Sequence, residues 1–403
     1  MTDDERNNVE IRSDPLSGFW ITAIPSILHF FLAGPFVYLT NVWADEGSTL
    51  YTTSSFGHAI RFALADEKQA PLYFWILGLW REIDGSIFYA RLPSLIFSVV
   101  AVRVFLSVAR KFLTSQQAYV LTLLFAAHPF LVWASAEIRV YSLVILLSLL
   151  LILVWHRAYF ESGDKRIPRS QTYLFLGLAV FSLYTNYYLG FVLAGLFAAL
   201  LAAGKGRSAI AYFFNMIAAG VAFAPLLLTV RAQFAANTVA FQTPRSIIEG
   251  LRILWNTVLT FALPTEMFPA EEISTISIAR VWIARFVIIV LIVLIFRKRR
   301  EIVSDERLRA LTALVATIGL LFFVAYLALG EVYVASRHAS VLFAPFLILL
   351  TTLLWRGVPK LAVAAVALTV LAFYSYSIFA MYPWLTKRGD WRRVAEFVEE
   401  SER

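Results

Sequence analysis

The chain has 403 residues, of which 60% are hydrophobic, 15% aromatic and only 15% charged, where a soluble domain carries about 25% charged residues. This composition excludes a water-soluble globular protein and predicts that the lipid bilayer is the main solvent. The formal net charge of +8 does not indicate a nucleic-acid partner, because the basic residues lie in short clusters at the ends of apolar segments. With no cysteine, disulfides and thiolate metal sites are excluded.

Apolar windows predict an all-α polytopic membrane protein in which residues 1–403 form a single domain with about eleven transmembrane helices. The polar start lacks the features of a cleaved signal peptide, so we expect the first helix to be retained. Two more apolar segments, 71–83 and 247–263, are short or interrupted, which gives a range of about 11 to 13 spans. The eleven predicted spans are 19–40, 88–110, 118–134, 138–156, 172–188, 189–203, 211–231, 279–296, 310–329, 339–355 and 361–382.

Charge predicts the orientation of these spans. If the N-terminus is cytoplasmic, every second loop is basic and the alternate loops contain most of the acids, as the positive-inside rule requires. This pattern favours eleven crossings, with outside loops at 41–87 and 232–278 and a short extracytoplasmic tail at 383–403. The basic loops contain Arg110 and Lys111, then Arg157, Lys165, Arg166 and Arg169, then Lys205 and Arg207, then Arg297 to Arg300 with Arg307 and Arg309, then Arg356 and Lys360.

Two adjacent acids, Asp45 and Glu46, open the first outside loop within about five residues of the membrane surface. Adjacent acids in a loop are more often solvated surface groups than catalytic ones. The residues that follow favour chemistry, because Phe56, Ile60 and Leu64 recur at the spacing of a helix that lies in the interface. A second helix is predicted to begin at Pro71, so the loop holds its polar groups at headgroup depth.

Three arginines lie at the outer ends of spans, where the charge rule does not expect them. Arg91 and Arg139 are at the outer ends of the second and fourth spans, and Arg337 is at the mouth of the tenth. Each could simply reach a lipid phosphate at the interface. Together they are candidates for binding a phosphate group, because the planar guanidinium can grip two of its oxygens.

Several short strings resemble the GT-C superfamily of membrane glycosyltransferases, and within it the group of protein O-mannosyltransferases and aminoarabinose transferases. The resemblance covers about residues 17–200 and then returns only at Arg337 and at Gly389-Asp390-Trp391. The strings that carry it are Ala70-Pro71-Leu72-Tyr73, Arg91-Leu92-Pro93-Ser94, His128-Pro129, Glu137-Ile138-Arg139-Val140-Tyr141 and Tyr184-Thr185-Asn186-Tyr187.

The resemblance implies transfer of a sugar from a polyprenyl phosphate, and it puts the acidic motif of the first loop on Asp45 and Glu46. It also implies that Arg91, Arg139 and Arg337 bind substrate, together with Tyr73 and Tyr141. Ala70 departs from the pattern, since these enzymes often have a second proline there. Asn186 stands where bacterial members commonly have histidine, which puts in doubt a metal ligand at that turn.

In a single displacement with inversion, one base is sufficient, because the departing phosphate needs no proton from an acid. Fixed cations would stabilise the charge that grows on the leaving group. A glycoside hydrolase would need two opposed carboxylates instead. We therefore expect Asp45 to be the general base, while Glu46 could orient an acceptor, bind a divalent cation or pair with an arginine. No cofactor is required.

We expect an integral protein of the bacterial inner membrane whose active site faces the extracytoplasmic side. Its expected partners are a polyprenyl-phosphate-linked sugar, a lipid, glycan or protein acceptor, and membrane lipids. Two alternatives stay open, namely a transporter or flippase and a non-catalytic subunit for polysaccharide or lipid export. A transporter is disfavoured because no aspartate or glutamate lies inside the predicted spans and no internal repeat is visible.

Overall fold

The structure is a computed structural model, and it describes residues 15–65, 69–161, 168–235, 245–264, 275–297, 299–330, 336–357 and 360–381. Within these ranges the regular secondary structure is entirely helical, which confirms the predicted all-α class. Most of the predicted second outside loop, 232–278, and the whole predicted tail, 383–403, lie outside the described residues, as does Gly389-Asp390-Trp391.

The helices are numbered α1 to α17 in chain order. Helix α8 continues without a break into a π-helical turn, His156–Phe160. The helices are α1 Pro15–Leu39, α2 Ala44–Thr52, α3 Phe56–Phe62, α4 Leu72–Arg81, α5 Ile87–Ala109, α6 Ser115–Ala126, α7 Pro129–Ala136, α8 Tyr141–Trp155, α9 Arg169–Thr185, α10 Leu189–Ala202, α11 Gly206–Ala235, α12 Ile247–Ala262, α13 Thr275–Arg297, α14 Arg299–Ser304, α15 Glu306–Leu329, α16 Ser340–Gly357 and α17 Lys360–Met381.

Each of the eleven predicted spans overlaps one of these helices or, for the third, a pair of them. In the part of the chain that the structure describes, 5 helices are long and apolar enough to cross a membrane, or 6 if one bent pair counts as a single span. The two doubtful segments are helices of 10 residues (α4) and 16 residues (α12). The number of crossings stays a prediction.

The third predicted span, 118–134, is two helices rather than one. Helices α6 and α7 meet at an angle of 50°, because the chain breaks at Ala127 and His128 before Pro129 starts the next helix. The His128 ring caps α7, since its Nδ1 accepts the Phe130 N–H at 3.0 Å. Its Nε2 lies 3.0 Å from the Phe261 carbonyl oxygen, so both ring nitrogens bind backbone groups of the protein.

The core lies between α1, α5 and α8, whose facing residues are almost completely buried. A second close pair, α10 and α15, approaches at Gly195, where a Cβ atom would lie 3.0 Å from the backbone oxygen of Leu314. Small residues at such crossings let membrane helices pack closely. A buried histidine, His29, joins α1 to its neighbours, with ring nitrogens 2.7 Å from the Ala126 carbonyl oxygen and 2.9 Å from the Ser135 hydroxyl.

The predicted first outside loop is built from α2, α3 and α4, of which the sequence predicted α3 and α4. Helices α3 and α4 pack through small residues, because a Cβ on Gly78 would lie 2.7 Å from that of Ala59. The larger Ile60 is exposed on the opposite side of α3, consistent with a helix that presents one apolar face to the interface. The loop therefore forms a compact layer at one end of the helical core.

Candidate active site

The two adjacent acids lie in the first turn of α2 and have opposite surroundings. Glu46 is completely buried, while the Asp45 side chain is 35% exposed. Consecutive residues on a helix point about 100° apart, so the turn that directs one carboxylate inward leaves the other facing out. Of the two, only Asp45 is open to a substrate.

Glu46 is held by a buried ion pair. Its Oε2 lies 3.1 Å from Nη2 of Arg91, and the same carboxylate accepts the backbone N–H groups of Trp43 at 3.3 Å and Ile138 at 2.8 Å. Burial and the neighbouring Glu137 carboxylate raise the pKa of Glu46 to about 7, against the opposing effect of Arg91. Of the three roles left open for Glu46, the contacts show pairing with an arginine.

Arg91 belongs to α5 and is 1% exposed. Its guanidinium lies against the C-terminal end of α1. Its guanidinium donates to the carbonyl oxygens of Thr40 and of Asn41, the latter at 3.2 Å. These carbonyls have no partner within the helix, and the helix dipole favours a cation at this end. The structure therefore surrounds Arg91 with protein groups, and its predicted contact with substrate stays a prediction that this burial disfavours.

Three consecutive residues between α7 and α8 form hydrogen bonds with the start of α2. The Glu137 Oε2 accepts the Trp43 Nε1–H at 2.6 Å, the Ile138 N–H binds Glu46, and the Arg139 Nη1 donates to the Asp45 carbonyl oxygen at 3.1 Å. The same Nη1 lies 2.7 Å from the Thr49 hydroxyl one turn further along α2. This turn, which we call the 137–139 clamp, sets the position of α2 against the core.

The third predicted arginine does meet the exposed acid. Nη2 of Arg337 lies 3.8 Å from Oδ2 of Asp45, and the arginine side chain is 38% exposed. Its guanidinium carbon lies 5.6 Å from the centre of the Trp43 ring. A carboxylate and a cation thus share an open site beside an indole, which is where an acceptor hydroxyl and a phosphate could meet.

His338 anchors the segment that carries Arg337. Its ring is stacked on Tyr188, with ring centres 5.8 Å apart, and Tyr188 is stacked on Phe322 of α15 at 5.2 Å. Burial, together with the neighbouring cations Arg337 and Arg139, lowers the pKa of His338 to about 3. The imidazole is therefore neutral at physiological pH and adds no charge beside Arg337.

The two predicted tyrosines are both buried. Tyr73 on α4 packs edge-on against Phe74, with ring centres 5.4 Å apart, and Tyr141 begins α8 and stacks on Trp133 at 5.1 Å. Both side chains are almost fully buried. Their predicted contact with substrate stays a prediction.

Sequence reasoning did not single out Trp43, Thr49 or Arg81. Arg81 binds the far end of α2, where its Nη1 donates to the Leu50 carbonyl oxygen at 2.6 Å and to the Thr53 hydroxyl at 2.9 Å. Trp43 stands two residues before Asp45, and that proximity was the only available signal. Within the described ranges, no group of three histidine, aspartate or glutamate side chains is arranged to hold a metal ion.

Comparison with known proteins points to one fold. The profile of the family described as dolichyl-phosphate-mannose-protein mannosyltransferase matches residues 68–235. The apo structure of ArnT from Cupriavidus metallidurans matches with a TM-score of 0.54 and 13% identity, covering 88% of this chain and 63% of that one. The same protein bound to undecaprenyl phosphate matches at 0.56 and 13%, covering 92% and 72%.

This chain therefore spans less than two thirds of the apo ArnT chain. No curated protein gives a significant sequence match. At this identity the likeness shows the fold, which is that of the GT-C glycosyltransferases, and together with the profile match it confirms the resemblance seen in the sequence.

Proposed function

We propose that this chain, which has the GT-C fold, is an inverting glycosyltransferase that moves a sugar from a polyprenyl-phosphate donor to a hydroxyl group. The acceptor is a lipid, a glycan or a protein on the extracytoplasmic face of the bacterial inner membrane. One observation supports this most strongly, namely the open pair of Asp45, at the start of α2, and Arg337. The donor class is supported by the similar ArnT structure, which holds undecaprenyl phosphate.

Asp45 acts as the general base. Its carboxylate takes the proton of the acceptor hydroxyl while the hydroxyl oxygen attacks the anomeric carbon from the face opposite the phosphate. The bond between that carbon and the phosphate oxygen breaks, and its electron pair leaves with the polyprenyl phosphate. No acid is needed, so the burial of Glu46 beside Asp45 is compatible with the reaction.

Arg337 binds the donor phosphate. Among the described residues its guanidinium has no hydrogen-bond partner, and its Nε is buried without one. An unpaired buried donor costs about 1–3 kcal/mol, which an anionic oxygen would relieve. The 3.8 Å separation from Asp45 is longer than a hydrogen bond, so the guanidinium keeps its donors available for phosphate oxygens.

The remaining predicted residues act by positioning Asp45 in this proposal. Arg91 and Glu46 lock the start of α2 to the end of α1, and Arg139 holds the Asp45 carbonyl. Tyr73 and Tyr141 are buried, so the proposal assigns neither ring a step in the reaction. No cofactor is assigned a step, and transfer is expected to persist after chelation of divalent cations.

The test is transfer from a labelled polyprenyl-phosphate sugar in membranes that contain Asp45→Asn. We expect the rate to fall by about 10²–10⁴-fold, the usual contribution of a general base. Asp84→Asn is the matched control, because it makes the same chemical change at an exposed acid in the same loop. Unchanged transfer by Asp45→Asn would refute the assigned base, and movement of substrate without covalent transfer would identify a transporter instead.

A further inference from the structure

Trp43 is held from inside the protein by a carboxylate that the proposed reaction does not use. Its Nε1–H donates to Oε2 of Glu137 at 2.6 Å, and Glu137 is 1% exposed. The backbone carbonyl of Glu137 in turn accepts the Ser94 hydroxyl at 2.6 Å. The indole plane therefore has its orientation set by α5 and by the 137–139 clamp, before any substrate arrives.

Trp43 also contacts Arg337, the cation of the open site. The Arg337 guanidinium carbon lies 5.6 Å from the centre of the Trp43 ring, within the range of a cation–π contact. Such a contact attracts the charge through the ring face and uses none of the five N–H donors. An acid in the place of Trp43 would hold the arginine more strongly but would consume those donors and cancel its charge.

We propose that Trp43 is the positioning residue for the donor phosphate, because it presents Arg337 beside Asp45 with the guanidinium donors free. Glu137 fixes the indole, the indole supports the guanidinium, and the guanidinium binds the phosphate on the polyprenyl carrier. The inference rests on the proposed function, and it deepens that proposal by assigning recognition of the carrier phosphate to an aromatic support.

The experiment measures binding of undecaprenyl phosphate to the purified full chain in detergent, together with the donor KM and kcat. Trp43→Leu removes the ring, and Trp43→Phe keeps a ring but loses the bond to Glu137. We expect Trp43→Leu to weaken binding about threefold to thirtyfold, and Trp43→Phe to have a smaller effect in the same direction. The donor KM should rise in step with the binding constant, and more than kcat falls.

A double-mutant cycle with Arg337→Met separates this role from a purely structural one. If Trp43 acts through Arg337, Trp43→Leu adds no further loss of binding in the Arg337→Met background. Trp80→Phe is the matched control, since its Nε1–H donates to the Tyr89 carbonyl oxygen at 3.0 Å rather than to the 137–139 clamp. The control should bind undecaprenyl phosphate as the wild type does.

Each outcome decides between the two proposals. Independent, additive losses from Trp43→Leu and Arg337→Met would overturn the positioning role of Trp43 while leaving the glycosyltransferase intact. Binding that is unchanged by Trp43→Leu would do the same. A wild-type chain that does not bind undecaprenyl phosphate would overturn the proposed function, and with it this inference.

Discussion

Replacing Arg91 by methionine is the most direct test of how α2 is held. The substitution keeps an unbranched side chain of similar length but removes the cation that faces Glu46. It leaves a completely buried carboxylate with two backbone N–H donors and no countercharge. It also removes the donors that satisfy the carbonyls of Thr40 and Asn41 at the end of α1.

The cost is expected to be large because one partner of a buried pair is lost. Removing a single member of such a pair costs about 3–5 kcal/mol. At about 2.1 cal/mol/K of unfolding entropy per residue, a chain of 403 residues should then lose about 4–6 °C in Tm. Protonation of Glu46 would relieve the unpaired charge, so the difference from the wild type should narrow as the pH falls.

Glu46→Gln removes the other member of the ion pair and should cost less than Arg91→Met. Glutamine keeps an acceptor for the Ile138 N–H, and Arg91 keeps its helix-end carbonyls, where a cation is favourable. We expect a loss of only about 1 kcal/mol, the net value of one hydrogen bond. The double variant Arg91→Met with Glu46→Gln should be more stable than Arg91→Met alone, because no charge is left unpaired.

Thermal denaturation of the purified variants in one detergent measures all three. Equal Tm values for Arg91→Met and Glu46→Gln would refute this reasoning, because Arg91 also binds the carbonyl oxygens of Thr40 and Asn41 and its loss should therefore cost more. A double variant less stable than Arg91→Met would refute it as well, because the uncompensated carboxylate would then not be the source of the loss.

Three further predictions concern stability. The pKa of Glu46 is raised from 4.5 to about 7, so the stability that the protonated carboxyl contributes is present below pH 4.5 and is lost as the pH rises through about 7. Glu46→Gln should therefore flatten that part of the Tm-against-pH curve. Thr49→Val removes the hydroxyl that binds Arg139 at 2.7 Å and should cost about 1.5–3 kcal/mol in the same melting assay. Gly195→Ala should cost about 1–3 kcal/mol, because its Cβ would lie 2.8 Å from the Leu314 side chain on α15. Gly319→Ala is the control, and it should be neutral or slightly stabilising because its Cβ would have nothing within 4 Å. Similar Tm values for the two variants would contradict this packing.

The helices could be predicted from the sequence because apolar length is a direct requirement of the bilayer. The bend at Ala127 and His128 was missed, although Pro129 was visible, because the apolar run continues through it. Proline at the first turn of a helix is compatible with either a boundary or a kink. The contact of the His128 Nε2 with the Phe261 carbonyl oxygen joins this bend to a distant helix, and no signal in the local sequence indicates it.

The candidate site was predictable in composition but not in its division of roles. The sequence indicated Asp45, Glu46 and three outer arginines, yet it gave no means of telling an arginine that pairs inside the protein from one that faces a ligand. That difference depends on how far each side chain is exposed, which is 1% for Arg91 and 38% for Arg337. Trp43 was missed because an aromatic residue beside an interface is usually an anchor.

Adjacent acids at the start of a helix cannot both face the same surroundings, because successive side chains are about 100° apart. The clamp at 137–139 and Arg91 together hold the face of α2 that carries Glu46 against the core. Asp45 is then left as the acid that a substrate can reach. If α2 were rotated by one residue, the buried cation would neutralise Asp45 instead, and the proposed base would be lost without any change in the residues of the site. The assignment of Asp45 therefore depends on the buried partners of its neighbour as much as on its own exposure.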